Sequence, residues 1–70
     1  MMTKKEIKRF VRSLPNRQLP MGLKVIRISE KTGIRLMTEK GIKFDVSFDE
    51  FEKEIIVPLK NKIIKHENIQ

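Results

Sequence analysis

The basic side chains of this sequence are the first residues whose type and spacing could carry chemistry. At about 100° per residue, four of them on a predicted first helix fall within roughly a 100° arc beside its apolar stripe. A row of cations with this spacing matches the phosphates along a nucleic-acid groove. The alternative interpretation is that these residues form an ordinary solvated helix face. The four are Lys5, Lys8, Arg9 and Arg12, and Arg17 in the following loop could extend them.

A second basic group is expected on the outward face of a predicted sheet. Arg27, Arg35 and Lys43 come from three adjacent predicted strands and could line up across it. An arginine-rich sheet face can sit in a DNA groove. Val25 and Met37 are expected on the same face, and apolar residues there equally suit a protein partner or a homodimer contact. All four phenylalanines are expected in the core, so a platform that stacks single-stranded bases is not expected.

Catalytic and metal-binding arrangements are not expected. The single histidine, His66, falls in a C-terminal stretch, 66–70, that is expected to fray, whereas a general base needs a held geometry. Five acidic residues between positions 45 and 54 lack the spacing of an EF-hand, and the helix dipole favours acidic residues in a first turn. The chain has no cysteine, which excludes disulfides and cysteine-based zinc sites. We therefore expect a non-enzymatic protein with no metal and no cofactor.

Charge is the strongest feature of the composition. The 70 residues carry a formal net charge of +7 and are expected to form one small domain, residues 1–70. Residues 1–43 hold twelve basic and three acidic side chains, whereas residues 44–58 hold one basic and five acidic ones. A basic body and an acidic helix give two candidate binding faces, and the excess of positive charge favours a polyanionic partner.

Membrane and export signals are not expected in this chain. The basic N-terminus is not followed by an unbroken apolar stretch, so it does not have the pattern of a signal peptide. The longest apolar run, residues 55–59, is far shorter than the ~20 residues of a membrane span. We expect a soluble, cytoplasmic protein with no membrane partner.

A helix is predicted from Thr3 to Leu14. Thr3 and Glu6 form a capping box, apolar residues recur at positions 7, 10, 11 and 14, and Pro15 ends the helix. Residues 15–22 contain two prolines and a glycine and are predicted to be a loop.

Three strands and a second helix are predicted to follow. The strands cover residues 23–29, 34–38 and 42–46, separated by glycine-containing turns. The helix begins at Ser47, which forms a second capping box with Glu50. Pro58 removes one backbone hydrogen bond and clashes with a carbonyl, so this helix is predicted to kink or restart there.

The predicted fold class is α+β in the order α-β-β-β-α, a three-stranded antiparallel meander with both helices on one face. The residues expected to face the helices are Ile26, Ile28, Ile34, Leu36, Ile42, Phe44 and Val46. Those expected to face outward are Val25, Arg27, Arg35, Met37, Lys43 and Asp45.

This order of elements resembles the double-stranded-RNA-binding fold and the small mRNA-cleaving toxins that share it. The RNA-binding family has a lysine cluster at the start of its second helix, where this chain has Asp49, Glu50 and Glu52. The toxins have a histidine on their sheet, and none is expected on the sheet here. Residues 23–66 also resemble, in order of elements, the arm-binding domain of tyrosine recombinases, which contacts DNA with its sheet.

The sequence favours a nucleic-acid-binding accessory protein, acting on duplex through the first helix and the sheet face. The alternative is a small protein-binding module or inhibitor of the kind that mobile elements encode against host proteins. It would use the outward sheet face or the acidic helix.

Overall fold

The computed structural model describes residues 1–61 and confirms the predicted α+β order. Helix α1 covers Lys4–Ser13, and strands β1, β2 and β3 cover Lys24–Ser29, Gly33–Met37 and Lys43–Val46. Helix α2 begins with Phe48–Phe51, continues through a π-helical turn at Glu52–Ile56, and is helical to residue 61. The predicted C-terminal fray, residues 66–70 with His66, lies outside the described residues.

Both ends of α1 follow from its local sequence. Thr3 Oγ1 accepts a hydrogen bond from the Glu6 amide at 3.1 Å, and Glu6 Oε1 accepts one from the Thr3 amide at 2.8 Å, so the predicted capping box is confirmed. The hydrogen bond from the Thr3 amide to the carboxylate lowers the pKa of Glu6. At the other end Leu14 is the C-cap, and Pro15 opens a short 3-10 turn in place of further α-helix.

The sheet is an antiparallel meander in the order β1-β2-β3, and it carries a β-bulge that the sequence analysis did not anticipate. Val25 pairs with Leu36 and Arg27 pairs with Arg35, so Ile26 is the additional residue in β1. Because of the bulge, the β1 side chains that precede it point to the opposite face from the one that strict alternation predicts. The prediction that Val25 faces outward is therefore wrong, because Val25 is fully buried in the core.

The core lies between the two helices and the first two strands. Among the described residues, the buried strand side chains belong to β1 and β2, and they pack with side chains of both helices and of the loop. The buried apolar residues are Ile7, Val11, Leu19, Val25, Ile34, Leu36, Phe51 and Ile56. Two residues expected inside are open to solvent: Ile42, just before β3, is 60% exposed, and Phe44, on the edge strand β3, is 39% exposed.

Helix α2 begins at its predicted cap and contains an irregular turn before Pro58. Ser47 Oγ accepts a hydrogen bond from the Glu50 amide at 3.0 Å. The Val57 amide donates to the Glu52 carbonyl five residues earlier, which is the hydrogen bond of a π-turn. Pro58 has no N–H to donate to the Glu54 carbonyl, and in a regular α-helix its ring clashes with that carbonyl. The widened turn ahead of Pro58 reduces this clash. The helix passes through Pro58 instead of ending there.

Within residues 1–61, no helix has both the length and the apolar content that crossing a bilayer requires.

Candidate nucleic-acid interface

A concave surface lies between α1, the loop after it and β1, and we call it the basic groove. Its floor is apolar and consists of Val11, Ile26 and Ile28. Every charged side chain that lines it in the described part of the chain is basic, and its open volume is about 420 Å³. The four cations are Lys8, Arg12, Arg17 and Arg27.

Helix α1 supplies two of these cations because of its turn geometry. Val11 is buried against the sheet, and Lys8 and Arg12, one turn apart, lie on the flank of the helix next to it. Lys5 and Arg9 come next around the helix and are solvent-exposed, and neither lines the groove. The predicted basic stripe is thus divided between two residues that border a concavity and two on an open helix face.

Arg17 is held at the groove by an unusual backbone conformation. Asn16 and Arg17 adopt φ angles of +53° and +56°, the left-handed region that non-glycine residues rarely occupy. The turn is secured by hydrogen bonds from the Arg17 amide to the Leu14 carbonyl, at 3.1 Å, and from Gln18 to Pro15, at 3.0 Å. Such residues cost about 1–3 kcal/mol each and are concentrated at functional sites. Met21, which does not line the groove, also has a positive φ of +66°, so this conformation positions Arg17 but does not by itself mark a site.

The β-bulge determines what β1 contributes to the groove. Because Val25 fills the core position, Ile26 is only half-buried and forms part of the groove floor. Arg27, the residue after the bulge, is exposed and borders the groove. Bulges commonly redirect side chains at the edges of sheets, and β1 is an edge strand.

A second recess adjoins the basic groove and adds a cation that the sequence analysis missed. It is lined by Asn16, Arg17, Gln18 and Lys24, above Val25 and Ile26. A bridge between Gln18 and Lys24 and a 2.8 Å hydrogen bond from Leu19 to Leu23 hold the loop against the start of β1. The sequence pattern assigns Lys24 to neither face of the predicted sheet, and no local sequence signal marks the bulge that sets its direction.

The outward sheet face is less basic than expected. Arg35 lies directly opposite Asp45, and its Nε and Nη2 donate to the two carboxylate oxygens at 2.8 and 3.1 Å. These hydrogen bonds lower the pKa of Asp45 and raise the pKa of Arg35. The expected row of Arg27, Arg35 and Lys43 does not form, because the register places Lys43 opposite Met37 in the next row.

Other charged side chains already have partners. Lys8 Nζ lies 3.2 Å from Glu30 Oε1, so one groove cation is partly neutralised from the β1–β2 turn. On α2, Asp49 pairs with Lys53 at 3.1 Å, and Glu52 accepts a hydrogen bond from the Met2 amide at 3.0 Å. Residues 1–61 contain no cluster of histidine, cysteine and acidic side chains that could hold a metal ion.

Comparison with protein-family models, with curated proteins and with solved structures gave no match. A function for this chain is therefore argued from its own geometry and charge.

Proposed function

We propose that this protein is a non-enzymatic accessory protein that binds duplex nucleic acid by its sugar-phosphate backbone through the basic groove. The observation that carries the proposal is the convergence of Lys8, Arg12, Arg17 and Arg27 on one concave surface. These residues come from a helix, a loop and a strand, so their proximity is a product of the fold and not of a run of basic sequence.

The chemistry of the groove suits phosphate. Three of its four cations are arginines, whose planar guanidinium can donate two parallel hydrogen bonds to one phosphate. Each neutralised phosphate releases condensed counterions, which gives affinity without sequence preference. The aliphatic floor can contact the sugar between two phosphates, and it carries no donor or acceptor that would distinguish bases.

The positions of the aromatic side chains favour duplex over single strands. Phe51 is fully buried, and Phe10 and Phe48 pack partly buried against the core. Phe44 is partly exposed, but it lies on β3, and β2 separates it from β1 and the groove. Single-strand proteins stack bases on aromatic rings, and no phenylalanine lines the groove.

A second candidate function, a small protein-binding module or inhibitor, is favoured by the outward sheet face. The Arg35–Asp45 pair makes that face mixed in charge, and Met37 lies between Lys24 and Lys43 in the neighbouring row. An apolar residue beside a charge pair that is already bonded fits a protein contact better than a phosphate contact, which needs unpaired cations.

Salt-dependent titration of a labelled duplex tests the proposal. If four phosphates are neutralised, log affinity should fall against log salt with a slope near −3.6, which weakens binding by roughly 10² between ~50 and ~200 mM salt. Replacing Arg12 and Arg17 together by Gln should reduce the slope by about 1.8 on every duplex sequence. Replacing Lys5 and Arg9 together by Gln is the matched control, since it removes the same number of charges from the exposed face of α1 outside the groove.

Two results would count against the groove. Absence of duplex binding below millimolar concentration at low salt would exclude nucleic-acid binding as the function. Equal loss of affinity in the control and in the groove variant would show that only net charge matters and that the groove is not a site. In either case the protein-binding candidate becomes the leading one.

A further inference from the structure

The outer edge of β3 has the features of a self-complementary pairing surface. Within the described residues, β3 pairs only with β2. The Thr38 amide donates to the Ile42 carbonyl at 2.9 Å, in the same register as the β2–β3 ladder. Backbone groups of an antiparallel strand point alternately to its two sides. Those of Ile42, Phe44 and Val46 therefore point to β2, and those of Lys43 and Asp45 point to the free edge.

Two large apolar side chains lie uncovered at this edge, one just before β3 and one within it. Ile42 and Phe44 are 60% and 39% exposed, on the face of the sheet that carries the core. The register places Phe44 opposite Leu36 and Val46 opposite Ile34, and both of these β2 partners are buried. An edge strand with free backbone groups and exposed apolar side chains is a template for pairing with another strand.

We propose that β3 pairs antiparallel with β3 of a second copy of this chain, in a register centred on Phe44. Lys43 then lies opposite the partner's Asp45, and Asp45 lies opposite the partner's Lys43. Ile42 lies opposite the partner's Val46. The segment Ile42–Val46 is complementary to its own reverse, with apolar residues at its ends and centre and opposite charges between them. The proposal does not depend on nucleic-acid binding.

The backbone geometry agrees with this register. Each Lys43–Asp45 pair would exchange both backbone hydrogen bonds, which gives four across the two-fold axis. Phe44 would face the partner's Phe44 as a non-hydrogen-bonded pair, the type in which side chains approach most closely. Two other symmetric registers, centred on Lys43 or on Asp45, use the same free backbone groups. They place like charges opposite each other, which is destabilising.

The interface would extend the outward charge pattern across both sheets. Asp45 already accepts hydrogen bonds from Arg35 of its own chain, and it would then also face a lysine of the second copy. Exposed ion pairs contribute little energy, so backbone bonds and the covered apolar row would supply most of the affinity. One short strand buries less than the ~1,000 Å² of a stable interface, so we expect a weak dimer.

Sedimentation equilibrium of the full chain, from low micromolar to millimolar concentration, tests the pairing. The average mass should rise from 8.3 kDa toward twice that value. Lys43→Asp and Asp45→Lys should each raise the dimer dissociation constant about tenfold or more, because each puts like charges opposite each other twice. An equimolar mixture of the two variants should restore dimerisation, since the paired positions then carry only carboxylates in one chain and only lysines in the other. Lys40→Asp makes the same charge change in the turn before β3 and should leave the dimer intact.

Amide hydrogen exchange gives a readout that does not depend on the variants. The Lys43 and Asp45 amides should become protected as protein concentration rises, whereas the Phe44 amide should be protected at every concentration by its bond to β2. A chain that stays monomeric at millimolar concentration would overturn the proposal. So would a dimer that Lys43→Asp leaves unchanged, or one in which the Lys43 and Asp45 amides exchange freely.

Discussion

Arg35 and Asp45 face each other across β2 and β3, and two hydrogen bonds of 2.8 and 3.1 Å join their side chains. The guanidinium stabilises the charged carboxylate, so the pKa of Asp45 lies below its ordinary value. We expect an NMR pH titration of the Asp45 carboxyl to give such a lowered value. In Arg35→Gln the pKa should return toward the ordinary one, whereas Arg17→Gln, in the loop after α1, should leave it unchanged.

The same pair predicts how stability changes with acid. Because the folded pKa of Asp45 is lowered, its contribution is present above the unfolded pKa and is lost as pH falls through the folded pKa. Wild type should therefore lose stability relative to Arg35→Gln below about pH 4. Denaturant melts of both proteins between neutral pH and pH ~2 would show the difference shrinking. A difference that stayed constant over this range would contradict the prediction.

Two glycines with similar backbone angles should respond differently to alanine. Gly33 and Gly41 have φ angles of +91° and +86°, so alanine is strained at both, by about 1–2 kcal/mol. At Gly33 the added methyl would also overlap the Val46 carbonyl oxygen, whereas at Gly41 nothing lies within 4 Å. Gly33→Ala should cost about 1–3 kcal/mol more than Gly41→Ala in chemical denaturation. Equal losses of stability in the two variants would contradict the close approach of Gly33 to the Val46 carbonyl.

Phe44 and Phe51 should differ in their contribution to folding. Phe51 is fully buried, so Phe51→Ala should cost roughly 3–5 kcal/mol. Phe44 is 39% exposed on the edge strand, so Phe44→Ala should cost about 1–2 kcal/mol. Thermal melts at low micromolar concentration, where a weak dimer dissociates, would make the comparison. A melting temperature of Phe51→Ala equal to that of wild type would contradict the buried position of Phe51 and hence the placement of α2.

Removing acidic charge should affect duplex binding according to its distance from the basic groove. Glu30 lies 3.2 Å from the groove residue Lys8, so Glu30→Gln should tighten binding by releasing that cation. Asp49 pairs with Lys53 on α2, and Asp49→Asn should change duplex affinity little. Loss of affinity in Asp49→Asn would instead assign the acidic helix to the functional surface.

Local sequence predicted the elements but not how the strands align. The Thr3–Glu6 box and the cap at Ser47 involve residues three apart, so a single sequence window contains the whole interaction. The bulge at Ile26 depends on how β1 pairs with β2, and that pairing joins residues up to 13 positions apart, as Lys24 with Met37. One extra residue placed Val25 in the core, where the sequence had predicted an outward side chain.

The sequence by itself determined the order of elements, the excess of basic residues and the lack of cysteine. The tertiary structure decided which cations lie together. Lys8, Arg12, Arg17 and Arg27 meet at one groove because the helix, the strained turn and the bulged strand pack side by side. Arg35 is bonded to a carboxylate because the register of two strands placed Asp45 opposite it. Convergence of this kind arises from long-range packing, which local propensity and charge patterns do not encode.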